Sequence, residues 1–162
     1  MKYYLAYGSN LNVEQMKYRC PDAKPVTVTS IPNYHLLFRR GFLTIEPKHG
    51  SSVPVVVWKI SNLDEKSLDR YEGYPKFYRK TVFPIMLNGY KDTEAYRKGQ
   101  KAVEEKVGEA MVYIMNDGFP AQQPSSAYLD TVRAGYAAFK LDINFLMNAL
   151  VDTWEEEQHE KA

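Results

Sequence analysis

Apolar side chains open the chain as a short continuous run, and polar residues then interrupt it. Residues 3–7 are apolar or aromatic, which is typical of a short buried strand, and Gly8 ends the run. Asn12 follows, and Gln15 stands three residues after it, as in a capping box at the start of a helix. The pattern therefore predicts a strand, a loop and a short helix over 13–19.

β-Branched and aromatic residues dominate several later segments, which are separated by Pro, Gly or charged residues. Such segments are typical of sheet strands, because these side chains pack well on a pleated surface. No internal repeat accompanies them. The predicted strands lie at 26–29, 34–38, 42–45, 53–60, 78–87 and 110–115.

Three further segments have the apolar spacing of helices. A cap within 62–65 begins a helix that runs to Gly73 and carries its apolar residues on one face. Ser125 begins a second amphipathic helix, and Asp142 begins a third. The acidic tail at 155–157 is expected to fray, as chain ends do unless they are held.

Charged residues crowd the segment 88–108, which has almost no candidate core residues, and we expect it to be an exposed excursion. Many strands with helices late in the chain predict an α+β fold whose sheet can curl into a barrel. The pattern alone leaves closure of the sheet undecided. With 162 residues, a single domain over 1–162 is expected.

The composition argues against several classes of partner. A formal net charge of +1 gives no concentrated basic surface for nucleic acid or an anionic membrane, so a small molecule fits better. No segment approaches the ~18 apolar residues that cross a bilayer. Cys20 is the only cysteine, which suits a reducing compartment. We therefore expect a cytoplasmic protein, and the sequence does not indicate its oligomeric state.

Metal and nucleophile chemistry have little support in the sequence. His35, His49 and His159 lack the spacing of metal ligands, and no His stands near Cys20. Neither a phosphate loop nor a dinucleotide-binding glycine pattern is present. No metal or cofactor is predicted.

The loop after the first strand is the first candidate binding site. Gly8 lets the backbone approach a ligand closely, and a turn that follows a strand can direct several N–H groups toward an anion. The helix predicted over 13–19 adds partial positive charge at its start. Ser9 and Asn10 add side-chain donors. The alternative is an ordinary turn capped by Ser and Asn, and the four residues by themselves favour it.

Glu72 is the second candidate, at the end of the helix that runs to Gly73. Aromatic neighbours would remove solvent from its carboxylate and raise its pKa toward the range useful for proton transfer. The alternative is a solvated Glu paired with Arg70, Lys76 or Arg79. Tyr71, Tyr74, Phe77 and Tyr78 stand nearby, and such aromatic residues more often pack in a core or at a rim than take part in a reaction. A buried Tyr hydroxyl nevertheless needs a hydrogen-bond partner, which could be the carboxylate or a ligand.

Several segments, taken in order, resemble the γ-glutamylcyclotransferase family, which includes the plant AIG2-like proteins and γ-glutamylamine cyclotransferases. The resemblance covers nearly the whole chain. It rests on Tyr7-Gly8-Ser9-Asn10-Leu11, on Met16 with Arg19-Cys20-Pro21-Asp22-Ala23, on Gly50 to Trp58, on Leu68-Asp69-Arg70-Tyr71-Glu72-Gly73-Tyr74 with Tyr78-Arg79-Lys80, and on Pro124-Ser125-Ser126-Ala127-Tyr128-Leu129 before a helix that contains Gly135.

The resemblance implies a fold and a set of roles. The fold would be a small mixed β-barrel with flanking helices. The loop formed by Tyr7, Gly8, Ser9 and Asn10 would bind the α-amino and α-carboxylate end of a γ-glutamyl group. Glu72 would be the catalytic acid and base, and Tyr78 and Tyr128 would line the pocket.

The implied reaction is attack of the substrate's own α-amine on its γ-glutamyl amide, which gives 5-oxoproline and a free amine or amino acid without a cofactor. Three alternatives stay open. The enzyme could act on γ-glutamylamines such as isopeptides or polyamine adducts, or the fold could serve a non-catalytic, metabolite-binding stress-response protein. A nucleic-acid binder would rest only on Arg39, Arg40 and the basic residues near Glu72.

Overall fold

Strands and helices together form the α+β fold that the sequence predicts, in a computed structural model that describes residues 1–86 and 107–162. The strands are β1 (Lys2–Ala6), β2 (Lys24–Arg39), β3 (Phe42–Ile60), β4 (Tyr78–Met86) and β5 (Val107–Met115). The helices are α1 (Val13–Arg19), α2 (Asn62–Tyr71), α3 (Ser126–Ala138) and α4 (Asn144–Lys161), and a short 3-10 turn spans Ser9–Leu11. The charged excursion expected at 88–108 lies outside the described residues, except for residues 107 and 108, which belong to β5.

The sheet is mixed, with the strands in the order β2-β3-β1-β5-β4. Strand β1 pairs antiparallel with β3, where Leu5 faces Val57, and parallel with β5, where Tyr4 faces Met111. The central position of β1 explains its apolar sequence, because both of its edges and most of its side chains are covered. Consequently the loop that follows β1 starts from the middle of the sheet.

Two long strands replace the four short ones predicted before residue 61. Pairing of β2 with β3 continues from Arg39 and Phe42 back to Lys24 and Lys59, with irregularities on the way. The register shifts beside Asn33, which has a φ of 60°, and Gly50 N donates to its side-chain oxygen over 3.1 Å. A β-bulge accommodates these turn-forming residues while the ladder continues. The breaks predicted between 29 and 34 and between 45 and 53 were therefore wrong.

The hairpin of β2 and β3 curls over the other end of the sheet. Met115 N in β5 donates to the buried Thr44 side chain over 3.0 Å. From β4, the Tyr78 hydroxyl donates to Leu43 O over 2.9 Å. The rings of Tyr34 and Phe83 meet edge to face at 5.3 Å. Side-chain and backbone groups of β3 thus meet β4 and β5, which gives the sheet its barrel-like form.

The first two helix starts agree well with their sequence signals, but the last helix and the chain end do not. Asn12 accepts from Gln15 N at the start of α1, whereas Ser61, one residue before the predicted cap, begins α2 with a capping box to Asp64. Asp142 was predicted to begin the last helix, yet α4 begins at Asn144 with Ile143 as its N-cap, and Asp142 accepts from Asn144 N over 2.9 Å just before it.

The tail at 155–157 was expected to fray, but it belongs to helix α4, which extends to Lys161. Its carboxylates accept backbone hydrogen bonds, for example from Gln123 N to Glu157 over 2.9 Å. These distant partners hold the tail in place.

Helix α3 packs directly on the 3-10 turn Ser9–Leu11. At Gly135 an added Cβ would lie 2.6 Å from the carbonyl carbon of Leu11 and 2.7 Å from its oxygen. Leu11 is 0% exposed, and Asn10 beside it is 2% exposed. Glycine is therefore required here by the close approach of two backbones rather than by its own φ.

We predict that Gly135→Ala destabilises the protein by about 2 kcal/mol, because the extra methyl group meets the backbone of Leu11. Helix propensity alone would favour Ala by up to about 1 kcal/mol, so the sign of the change in the free energy of unfolding separates the two effects. Urea unfolding measures the free energy of unfolding. The matched control is Ala137→Ser, which adds one heavy atom at an exposed position of the same helix and should change stability by less than about 0.5 kcal/mol.

Candidate active site

A cavity of about 220 Å³ lies where the loop after β1, the end of α2 and the curled hairpin meet. The structure brings every residue of the predicted site to this one cavity, although their roles stay predictions. These residues are Tyr7, Gly8, Ser9, Asn10, Glu72, Tyr78 and Tyr128.

The loop is a tight turn in which one backbone N–H group has no partner among the described residues. Leu11 N donates to Gly8 O and Asn12 N donates to Ser9 O, each over 3.0 Å, so these bonds close the turn. Within the described residues, Asn10 N makes no hydrogen bond. A buried loop with a free N–H beside a cavity can receive an anionic group.

Gly8 allows Tyr128 to approach the loop. An added Cβ at Gly8 would lie 3.2 Å from the Tyr128 hydroxyl, closer than an ordinary van der Waals contact. That hydroxyl accepts a hydrogen bond from Leu43 N over 3.1 Å. The Leu43 and Ser9 N–H groups both lower the pKa of Tyr128. Burial nevertheless raises the pKa of Tyr128 above its ordinary value, so it is a neutral hydroxyl at neutral pH.

A chain of hydrogen bonds orients Asn10. Arg19 donates to its Oδ1, which turns its Nδ2 toward two other groups. Nδ2 donates to the Tyr4 hydroxyl over 2.8 Å and to Glu72 Oε1 over 3.4 Å. On the same side, Ser9 Oγ and the Tyr71 hydroxyl are 2.8 Å apart. Thus the loop is tied directly to the candidate carboxylate.

Glu72 is the C-cap of α2, and its own N–H donates to Leu68 O over 2.8 Å. The next residue, Gly73, has a φ of 62°, which a left-handed helix end requires. Burial raises the pKa of Glu72 to about 7, and the positive charge of Arg19 opposes that shift. Among the described residues, no Lys, Arg or His lies within 4.0 Å of its carboxylate. The solvated ion pair considered from the sequence is therefore not formed.

Tyrosines surround this carboxylate on several elements. Burial raises the pKa of each, and the negative charge of Glu72 adds to the effect. Their hydroxyls are therefore neutral, and several donate to fixed acceptors, for example Tyr113 to Asp69 Oδ1 over 2.6 Å. The group comprises Tyr4, Tyr7, Tyr78, Tyr113 and Tyr128.

Some residues of the site were not identified from the sequence. Tyr4 and Tyr113 stand in strands, where alternation marks them only as core residues. Tyr71 was assigned to packing, yet its hydroxyl contacts Ser9 and its ring lies 3.3 Å from the Arg19 guanidinium carbon. Arg19 belongs to a recognised segment but carried no assigned role. Nothing local distinguishes these side chains from ordinary packing residues.

Residues 1–86 and 107–162 contain neither a cluster of metal ligands nor a membrane-spanning helix. No group of three or more His, Cys, Asp or Glu side chains there could hold a metal ion. Likewise, none of the helices in these ranges is long and apolar enough to cross a membrane.

The chain is similar to known proteins over much of its length. The family model described as "Gamma-glutamyl cyclotransferase, AIG2-like" matches residues 4–134. A gamma-glutamylcyclotransferase of Bos taurus is 35% identical over 81 residues, an alignment that covers 43% of this chain and 43% of the bovine protein. The chain thus spans less than half the length of that curated relative.

Solved structures extend the likeness in fold. One, named gamma-glutamyl cyclotransferase, superposes with a TM-score of 0.69 and 23% identity, over 91% of this chain and 85% of that one. An uncharacterized protein from Homo sapiens gives a TM-score of 0.68 and 23% identity over the same shares. At this identity the two structures support the fold.

We predict that Glu72→Gln stabilises the protein at alkaline pH. Because folding raises the pKa of Glu72 from 4.5 to about 7, the folded state binds the proton more tightly, and stability falls as pH rises through that window. A tenfold change in proton affinity is worth about 1.4 kcal/mol, so the variant should gain up to about 3 kcal/mol at pH 8 and little at pH 4. Urea unfolding at both pH values checks this.

The control for that measurement is Glu14→Gln, since the Glu14 side chain is 84% exposed. Its effect on stability should be small at both pH values. An equal effect of Glu72→Gln at pH 4 and pH 8 would show that the Glu72 carboxyl titrates as an ordinary solvated group.

Replacing Arg19 should raise the pKa of Glu72 further. Arg19→Gln removes the positive charge that favours the carboxylate, so the titration midpoint should move above 7. Carboxyl-carbon NMR measures it, with the resonance assigned by its loss in Glu72→Gln. Arg70→Gln removes an exposed cation two residues from Glu72 and should leave the midpoint unchanged; similar shifts in both variants would contradict the specific role of Arg19.

Proposed function

Because the chain belongs to the gamma-glutamyl cyclotransferase, AIG2-like family, we propose that it cleaves a γ-glutamyl amide by intramolecular cyclisation. The products would be 5-oxoproline and a free amine or amino acid. One observation carries the proposal: a carboxyl group with a pKa of about 7 lies in the same cavity as a loop with a free backbone donor. An acid titrating near neutrality can both accept and return a proton.

The substrate's α-amino-acid end would lie against the loop. In this arrangement Asn10 N and the Ser9 side chain bind the α-carboxylate, while Gly8 permits close approach of the backbone. Tyr7, Tyr78 and Tyr128 line the same cavity and would exclude water from the bound end. Holding both ends of a flexible chain places the α-amine near its own γ-carbonyl, which removes much of the entropic barrier to ring closure.

Glu72 would move the proton that the reaction must transfer. It accepts a proton from the α-amine as the nitrogen forms its bond to the γ-carbon. The amide bond from that carbon to the leaving nitrogen then breaks, and Glu72 returns the proton to the departing amine. One carboxyl thus serves as base and then as acid, and the proton count balances.

Glu72→Gln should therefore abolish turnover while preserving binding. We expect kcat to fall at least about a thousandfold, measured as 5-oxoproline formed from a panel of γ-glutamyl dipeptides and γ-glutamylamines. Substrate affinity by calorimetry should change little, because the Gln side chain has a similar shape. In the unsubstituted enzyme, kcat/KM should fall as pH drops below about 7, where Glu72 becomes protonated.

Two results would decide against this role. Near-normal 5-oxoproline formation by Glu72→Gln would remove Glu72 from the mechanism. Binding of γ-glutamyl compounds without any product would instead favour a metabolite-binding protein on the same fold. Glu14→Gln again serves as the control and should keep full activity.

A further inference from the structure

The hairpin turn between β2 and β3 places an arginine in an unfavourable backbone conformation. Arg39 pairs with Phe42, so Arg40 and Gly41 are the two central residues of the turn. Their φ angles are 53° and 81°, as in a type I′ turn. Asn-Gly is the favoured pair there, because a long side chain at positive φ is sterically costly. The steric cost of an arginine at this position points to a use for its side chain.

The Arg40 guanidinium lies beside the rim of the cavity. Its central carbon is 4.9 Å from the ring centre of Phe77 and 5.1 Å from that of Phe119. Phe77 and Phe42 both line the cavity, and Phe42 is 42% exposed, so this is an open side of the cavity. The guanidinium is therefore held at the mouth by stacking on aromatic rings.

Stacking leaves the hydrogen-bonding edge of a guanidinium available. Within the described residues, the Arg40 side chain makes no hydrogen bond, and no carboxylate lies within 4.0 Å of it. Arg39 next to it differs, because Glu46 and Glu160 accept its hydrogen bonds. A planar fork of unused donors matches a carboxylate in geometry and charge.

The other charges around the cavity favour an anion as well. Arg19 stacks on Tyr71 and donates to two side-chain amides, and among the described residues no carboxylate lies within 4.0 Å of it. Asp69 is already paired with Lys80 over 3.0 Å. Apart from Glu72, none of the described residues that line the cavity is acidic. A cationic group entering by this mouth would meet repulsion rather than a partner.

We infer that Arg40 forms a subsite for a carboxylate on the leaving group, so that the protein prefers γ-glutamyl amino acids to γ-glutamyl adducts of cationic amines. The inference rests on the proposed function, in which the loop holds the α-amino-acid end, and it places the leaving group on the open side of the cavity lined by Phe42 and Phe77. In a γ-glutamyl amino acid, the carboxylate stands two bonds beyond the departing nitrogen, so in this placement it would approach Arg40.

A matched substrate pair tests the inference. γ-Glutamylalanine and γ-glutamylethylamide differ by the carboxylate alone, and 5-oxoproline formation gives kcat/KM for each. Wild-type protein should prefer γ-glutamylalanine by about tenfold. Arg40→Asn should lower kcat/KM for γ-glutamylalanine by about tenfold, mainly through KM, and keep the value for γ-glutamylethylamide within twofold.

Arg40→Asn also separates loss of the subsite from loss of the fold. The substitution produces the favoured Asn-Gly pair of a type I′ turn, so its Tm should equal or exceed the wild-type value. The matched control is Lys76→Gln, which removes an exposed cation adjacent to Phe77 in sequence. Lys76 makes no close ring contact in the described residues, so kcat/KM should stay unchanged for both substrates. Arg40→Glu should increase kcat/KM for the γ-glutamyl adduct of 1,4-diaminobutane.

The outcomes are distinct. Equal losses for both substrates in Arg40→Asn, or no loss for either, would overturn the carboxylate subsite while leaving the proposed cyclotransferase activity intact. A wild-type preference for the diamine adduct would also overturn it. Absence of 5-oxoproline from every compound would refute the proposed function, and this inference with it.

Discussion

The contact between Gly135 and Leu11 is the constraint on which the site depends. It lets helix α3 lie directly on the turn Ser9–Leu11, and this turn is buried although it carries polar side chains. A loop left in solvent would sample many conformations, and ordering it would cost free energy each time a ligand bound. Here that cost is met during folding. Asn10 is therefore already oriented toward Glu72 before any ligand arrives.

Burial of Glu72 opposes stability and favours chemistry. The carboxylate is surrounded by neutral tyrosine hydroxyls, and its ionised form loses solvation without gaining an ion pair, so its pKa rises to about 7. Arg19 limits the rise and also fixes Asn10. A group shifted this far by desolvation in a cavity is typical of a functional site, and the same shift lowers the stability of the folded state at alkaline pH.

Aromatic rings at the mouth have two different effects. They provide apolar walls that exclude water, and they hold cations by stacking, as Tyr71 holds Arg19 and Phe77 holds Arg40. Whereas Arg19 reaches inward to the loop, Arg40 stands at the mouth over the partly buried rings of Phe77 and Phe119. The two arginines thus occupy different positions relative to the cavity.

Signals that act over a few residues were predictable from the sequence. The Asn12 and Ser125 caps, the α+β class and the helix end at Glu72 depend on neighbouring residues, so they could be predicted before the structure was known. The predicted division of β2 and β3 was wrong, because a bulge at Asn33 maintains a ladder that local turn residues seemed to end. The α4 tail was wrongly expected to fray, because its partners lie near residue 121, far from it in sequence.

For the site, the sequence by itself identified the loop from Tyr7 to Asn10 and the carboxylate of Glu72 as candidates, since both belong to local segments that resemble those of a known family. Only the tertiary structure decided that these two lie in one cavity with Tyr113, that Arg19 contacts the lining residues Asn10 and Tyr71, and that Arg40 stands at the mouth. The physical reason is distance along the chain. Asn10 and Glu72 are 62 positions apart, so the desolvation and hydrogen bonding that define the site arise only when the strands and helices pack.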